Sequence, residues 1–204
     1  GVYTPSAGTI RFGERDLAGS PPHVFAIAGI GRTFQTPQIF FNMTALENVM
    51  VGRYRHQGAG WIAAMLRLPG VAMREREARE AAAELMRFVG LGKYIYARSD
   101  TLPYGALKRL EIARALASEP QMLLMDEPAA GLNPTETGEL DALIVKLGTR
   151  GVTVVLVEHN MHLVMGISDH IIVLDYGRLL AQGDAASIRA HPKVIEAYLG
   201  AEAA

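Results

Sequence analysis

The chain has 204 residues, 20 Lys plus Arg against 21 Asp plus Glu, and no cysteine. At about 150 residues per domain, that length suits one domain, or one with a small lobe. Near-neutral charge excludes a basic nucleic-acid grip spread over the whole surface, and zero Cys excludes disulfides, a thiolate zinc site and a cysteine nucleophile.

Residues 8–17 read as a strand, because Thr9-Ile10-Arg11-Phe12 alternates between Gly8 and Gly13. Gly31–Gln35 reads as a second short strand running into a turn at Thr36-Pro37. A helix should begin at Thr44, where Thr44 and Glu47 form a capping-box pattern ahead of an apolar stripe. Gly58–Gly70 reads as a loop or a broken helix. Met73–Val89 is helical by its Ala78, Ala82, Leu85 and Phe88 face, and Gly90 ends it. Trp61 and Met65 lie among the basic residues of 53–79, which read as a solvated helical face.

From Ala106 to Ser118 the spacing of Leu107, Leu110, Ala113 and Leu116 predicts a helix. Three continuous apolar runs follow: Gln121–Met125, Val152–Val157 and Ile171–Leu174. Runs of this kind are buried on both faces, as in parallel sheets. Between the first two, Asn133-Pro134-Thr135-Glu136 supplies an N-cap, an N1 proline and an N3 glutamate. Strand, helix, strand in this order is an α/β pattern.

In an open parallel sheet, ligands sit beyond the carboxyl ends of the strands. Two of the apolar runs end there in Asp126-Glu127 and Glu158-His159. Adjacent carboxylates suit a Mg²⁺–phosphate site, one holding the cation or its waters and the other polarising an attacking water. A solvated strand-end acid is the ordinary alternative.

Leu102-Pro103-Tyr104-Gly105 precedes Leu107–Leu116, then Asp126-Glu127-Pro128, Ala129–Pro134 and Val157-Glu158-His159. In this order and spacing the chain resembles the ATP-binding subunits of ABC transporters, and more narrowly those of branched-chain amino acid importers, from Gly1 to about Gly200. The resemblance implies a P-loop NTPase-type parallel sheet core, a helical subdomain over residues 44–118 carrying the signature loop, and a small β element. The cassette is a single partial domain over residues 1–200, with a tail at 201–204.

It further implies that Gln35 is the glutamine that senses Mg²⁺ and the attacking water, and that Asp126 is a Mg²⁺ ligand. Glu127 then activates water, and His159 contacts the γ-phosphate. Leu102, Pro103, Tyr104, Gly105 and Ala106 form the signature loop that meets the nucleotide of a second subunit, and Asn133 ends a loop that crosses the dimer. Glu158 has no such assignment and reads as structural. Pro103, Tyr104 and Ala106 depart from the Ser, Gly and Gln that many relatives carry, and Asn133 stands in place of a usual Asp.

By the same resemblance the ligands are ATP and Mg²⁺. The partners are a second ABC ATPase subunit and integral-membrane permease subunits, with no nucleic acid. The place of work is the cytoplasmic face of the inner membrane, held peripherally. Exposed-looking Ile39-Phe40-Phe41 faces the permease. No Gly-x-x-x-x-Gly-Lys-Ser/Thr occurs in the sequence. By resemblance the first strands, that phosphate loop and an adenine-stacking aromatic lie upstream of Gly1, and the 204-residue polypeptide alone is expected to show no ATPase activity. A non-transport ABC ATPase typically carries paired cassettes or long coiled coils, and this sequence has neither. A non-catalytic ABC module would fit the missing phosphate loop, but Asp126, Glu127 and His159 argue against it.

Overall fold

The structure is a computed structural model that describes residues 1–54 and 69–196. It divides into two compact units, Gly1–Val157 and Glu158–Ala204.

The first unit opens with a tight hairpin, β1 (Arg11–Phe12) against β2 (Arg15–Asp16). The single strand expected over residues 8–17 is therefore two, because the chain reverses at Gly13-Glu14. Helix α1 (Pro22–Ala28) follows, with proline at its start and Gly29 in the left-handed region at its end. Both boundary signals are in the sequence, yet the short apolar run between them did not announce a helix. Strand β3 (Ile30–Arg32) is shorter than the run to Gln35 suggested.

Helix α2 (Ala45–Gly52) starts as expected: the Thr44 hydroxyl accepts from the Glu47 N–H, and the Glu47 carboxylate accepts from the Thr44 N–H. Helix α3 spans Pro69–Phe88 and ends ahead of Gly90, as predicted. Its exposed charges pair along the helix, Arg76 with Glu80 and Arg79 with Glu75, which is the solvated face the sequence suggested. Arg55, Trp61, Met65, Arg67 and most of the Gly58–Gly70 segment lie outside the described residues.

Helix α4 (Tyr104–Leu116) is packed by α2, α3 and β3. Leu110, Ala113 and Leu116 are buried, and so are Lys108 and Glu111. Strand β4 (Met122–Asp126) lies between β3 and β5 (Thr153–Val157), parallel to both. Helix α5 (Pro134–Thr149) joins β4 to β5, so the α/β expectation holds here. The fully buried character does not extend to β5, where Val155 and Val157 are exposed. Burial on both faces needs cover on both, and among the described residues α5 packs on β5 more closely than any other helix.

The second unit begins with α6 (Met161–Ile167), followed by β6 (Ile171–Asp175) and β7 (Arg178–Gly183). These strands pair antiparallel, which corrects the parallel reading of Ile171–Leu174. The reason is the turn between them, where Tyr176 and Gly177 have φ of 44° and 75°. Successive left-handed residues reverse the chain in two steps and set the next strand antiparallel. Ile171 and Val173 are buried with Ala181, Ile188 and Val194, while Ile172 and Leu174 face outward. Short helices α7 (Ala185–Arg189) and α8 (Pro192–Val194) complete the described chain.

Candidate active site

The acids at the end of β4 differ in what holds them. Asp126 pairs in register with Val157 of β5, and its carboxylate lies 3.7 Å from the Arg32 guanidinium of β3. Both side chains are about two-fifths exposed, so the pair contributes little stability. Glu127 leaves the strand with φ of 42°, a region that L-residues enter at a cost of about 1–3 kcal/mol. Its N–H donates to Val157 O at 2.9 Å. Its own carbonyl accepts from the Ala130 N–H at 3.1 Å and from Lys108 Nζ at 3.3 Å. Several bonds thus fix a strained backbone at one residue, a pattern that points from geometry to function.

Gln35 stands on the loop after β3 and donates its side-chain Nε2–H to Glu127 Oε2 at 2.7 Å. Two residues separated by 92 positions therefore meet at the carboxyl ends of adjacent strands. The loop is fastened from below. Lys108 Nζ donates to Gln35 O at 2.6 Å, and Glu111 Oε1 accepts from the Gln38 N–H at 3.2 Å. Buried Asn48 accepts from Phe40 N–H and donates to Phe40 O, both at 3.0 Å. Burial pushes the Glu111 carboxyl above the ordinary glutamate range, against the opposing pull of the Gln38 N–H and Arg114.

The loop at 102–106 is partly open: Pro103 and Tyr104 are exposed, whereas Gly105 is buried. Leu102 is buried, and Ala106 is 1% exposed, so its methyl packs inward. Pro103 caps α4 without a side-chain bond, and its carbonyl accepts from the N–H groups of Ala106 and Leu107. Tyr104 lies beside Gly131, where an added Cβ would stand 3.0 Å from the ring. Gly105 faces the Glu136 carboxylate, and a Cβ there would collide with it. Glu136 accepts from the Asn133 N–H while the Asn133 side chain accepts from the Glu136 N–H, so Asn133 is engaged as a helix cap. Glu136 therefore joins the 102–106 loop to the 129–133 loop, a contact that the sequence alone does not show.

His159 belongs to the second unit. Its side chain is 74% exposed, and its N–H donates to the Glu158 carboxylate at 3.1 Å. That carboxylate is buried and also accepts from the Asn160 N–H. Asn160 caps α6 by accepting from the Leu163 N–H. The Glu158 carboxylate thus holds the backbone at His159 and Asn160 while the His159 side chain stays exposed.

A hard divalent cation takes oxygen donors, and the Asp126 carboxylate and the Gln35 amide oxygen are of that kind. No group of three or more His, Cys, Asp or Glu lies together among the described residues. A small cation at this strand end would draw most of its ligands from phosphate and water, the habit of Mg²⁺ rather than Ca²⁺.

The ABC transporter family profile matches residues 1–130, and a profile of branched-chain amino acid ATP-binding cassette transporters matches residues 178–204. The chain belongs to the ABC transporter family. BraF of Pseudomonas aeruginosa, a high-affinity branched-chain amino acid transport ATP-binding protein, is 46% identical over 98% of this chain and 79% of its own length. LivG of Escherichia coli K12, of the same description, is 42% identical over the same shares.

The crystal structure of an ATP-binding cassette of an ABC transporter in its ADP conformation superposes with a TM-score of 0.79 at 29% identity, over 98% of this chain and 80% of that one. A dimeric ATP-binding cassette bound to ADP and Pi gives 0.72 at 26% identity, over 90% and 76%. The β3-β4-β5 sheet and its helices are thus part of an ABC ATPase core, and the chain is of the nucleotide-binding, ATP-hydrolysing subunit type. No helix among the described residues is long and apolar enough to cross a membrane.

Proposed function

We propose that this chain is the nucleotide-binding subunit of an importer for branched-chain amino acids, and that its hydrolytic centre is built on Gln35, Asp126 and Glu127. The observation that carries this reading is the hydrogen bond from Gln35 Nε2 to Glu127 Oε2 at the strand ends, in a chain with BraF-like and LivG-like relatives.

In this reading Asp126 and the Gln35 amide oxygen would hold Mg²⁺, which when bound would offset the charge that develops on the transferring phosphoryl group of ATP. Glu127 takes a proton from the attacking water. Its Oε2 accepts from Gln35 Nε2, which ties the carboxylate to the loop after β3. His159 contacts the γ-phosphate. Leu102 through Ala106 serve the nucleotide of a second subunit, with Gly105 and the start of α4 as the approach. Asn133 ends the loop that crosses to that subunit.

Permease subunits dock on the loop after Gln35. Phe40 and Phe41 are exposed there at 45% and 50%, and an open groove beside them is lined by Gln38, Phe40, Val51, Glu111 and Arg114. Exposed apolar side chains gathered at one rim mark an interface. The subunit then works peripherally at the cytoplasmic face of the membrane.

The test is Glu127→Gln in the complete subunit. It should retain Mg²⁺–ATP binding and lose turnover, and wild-type turnover would remove Glu127 from the mechanism.

A further inference from the structure

Helix α4 carries Lys108, Glu111 and Arg114 at three-residue intervals, which sets them along one stripe of the helix. The stripe is polar yet withdrawn from water: Lys108 is 3% and Glu111 is 2% exposed. It follows the loop after β3. Lys108 holds the Gln35 carbonyl, Glu111 holds the Gln38 N–H, and the Arg114 guanidinium lies 5.5 Å from the centroid of the Phe40 ring.

Lys108 also reaches towards the strand end, donating to Glu127 O at 3.3 Å. Burying an ammonium carries a desolvation cost that a methionine of similar length would not. The return on that cost is visible in its partners. Gln35 and Glu127 are bonded to each other through their side chains, and Lys108 bonds the main-chain carbonyls of both. The result is a closed ring of three residues from β3's loop, β4's end and α4.

We infer that Lys108 is a positioning residue for ATP hydrolysis: its ammonium, held between the carbonyls of Gln35 and Glu127, keeps the Glu127 backbone left-handed and its carboxylate at the Gln35 amide. The inference rests on Glu127 activating water. Without Lys108 the carbonyl of Glu127 loses a cationic donor, and the backbone at φ 42° is freer to relax to negative φ. That relaxation would swing the side chain away from Gln35, and a misplacement of about 1 Å is enough to cost two orders of magnitude in rate. The bonds on which this positioning rests go to main-chain carbonyls of its own chain, so loss of Lys108 should act on turnover more than on nucleotide binding.

The experiment is a double-mutant cycle in the complete subunit assembled with its permease. Lys108→Met should lower kcat by about tenfold or more, with the ATP KM changed by less than about twofold. Lys108→Arg keeps a cation with several donors and should recover most of kcat. In the Glu127→Gln background, Lys108→Met should change the residual rate by less than about twofold, because the group it positions is already disabled. Wild-type kcat in Lys108→Met, or an equal fold-loss in both backgrounds, overturns the inference. Should Lys108→Met not fold, Lys108→Gln enters the same cycle under the same criteria. Wild-type turnover in Glu127→Gln alone would instead overturn the reading of Glu127, which separates the two failures.

Discussion

Gly105 lies against the carboxylate of Glu136, so that the space a Cβ would fill is taken by a side chain that also caps α5. Gly105→Ala should push Glu136 aside and break its bond to the Asn133 N–H, costing about 0.5–2 kcal/mol as for other lost caps. Thermal unfolding of Gly105→Ala, Glu136→Ala and the double variant checks this. The double should be less destabilised than the sum of the singles, since removing Glu136 vacates the space.

Glu127→Gln should reduce ATP turnover by about 10²–10⁴-fold, the usual range for loss of one general base. Gln keeps an oxygen at the Glu127 position to accept from Gln35 Nε2, so the local geometry should persist. Equilibrium nucleotide binding and steady-state hydrolysis measured on the same preparation separate the two effects.

Asp at Phe40 or Phe41 should weaken permease association and leave the isolated subunit's ATP affinity unchanged. Equal loss of both in a binding assay would mean that these rings serve the core instead. Asn48→Ala acts on the same loop from inside. It leaves Phe40 N–H and O and the Ser99 hydroxyl without their amide partner. Unsatisfied buried groups of this sort cost about 1–3 kcal/mol, read as a lowered unfolding midpoint in denaturant.

Glu111 gives a pH dependence whose sign follows from its raised pKa. The folded state holds the Glu111 proton to higher pH than the unfolded chain does. Its contribution to stability is therefore most favourable below the ordinary glutamate value and is lost as pH rises through the raised one. Glu111→Gln removes this titration while keeping an oxygen for the Gln38 N–H. The unfolding free energy of wild type minus that of Glu111→Gln should fall as pH rises across that window. A difference independent of pH would mean that Glu111 does not titrate between the two values.

Local chemistry made much of the fold readable. Thr44 with Glu47 and Asn133-Pro134 with Glu136 set helix starts through bonds a few residues long, so the sequence alone determined where α2 and α5 begin. The apolar runs 121–125 and 152–157 likewise announced the strands that pair in parallel. Family motifs identified Gln35, Asp126 and Glu127 as a group. The antiparallel pairing of Ile171–Leu174 is not legible because an apolar run does not state its partner, and Tyr176 gives no warning of a left-handed backbone. The bonds of Lys108 and the contact of Glu136 with Gly105 were unreadable for a different reason. Lys108 looks like an ordinary helix charge and Glu136 like a capping glutamate alone, and both contacts depend on a carbonyl or a glycine brought from another element. Periodicity and capping operate within a few residues of chain, whereas the Lys108 ring and the Gly105–Glu136 contact exist only once α4, the strand ends and α5 have packed together.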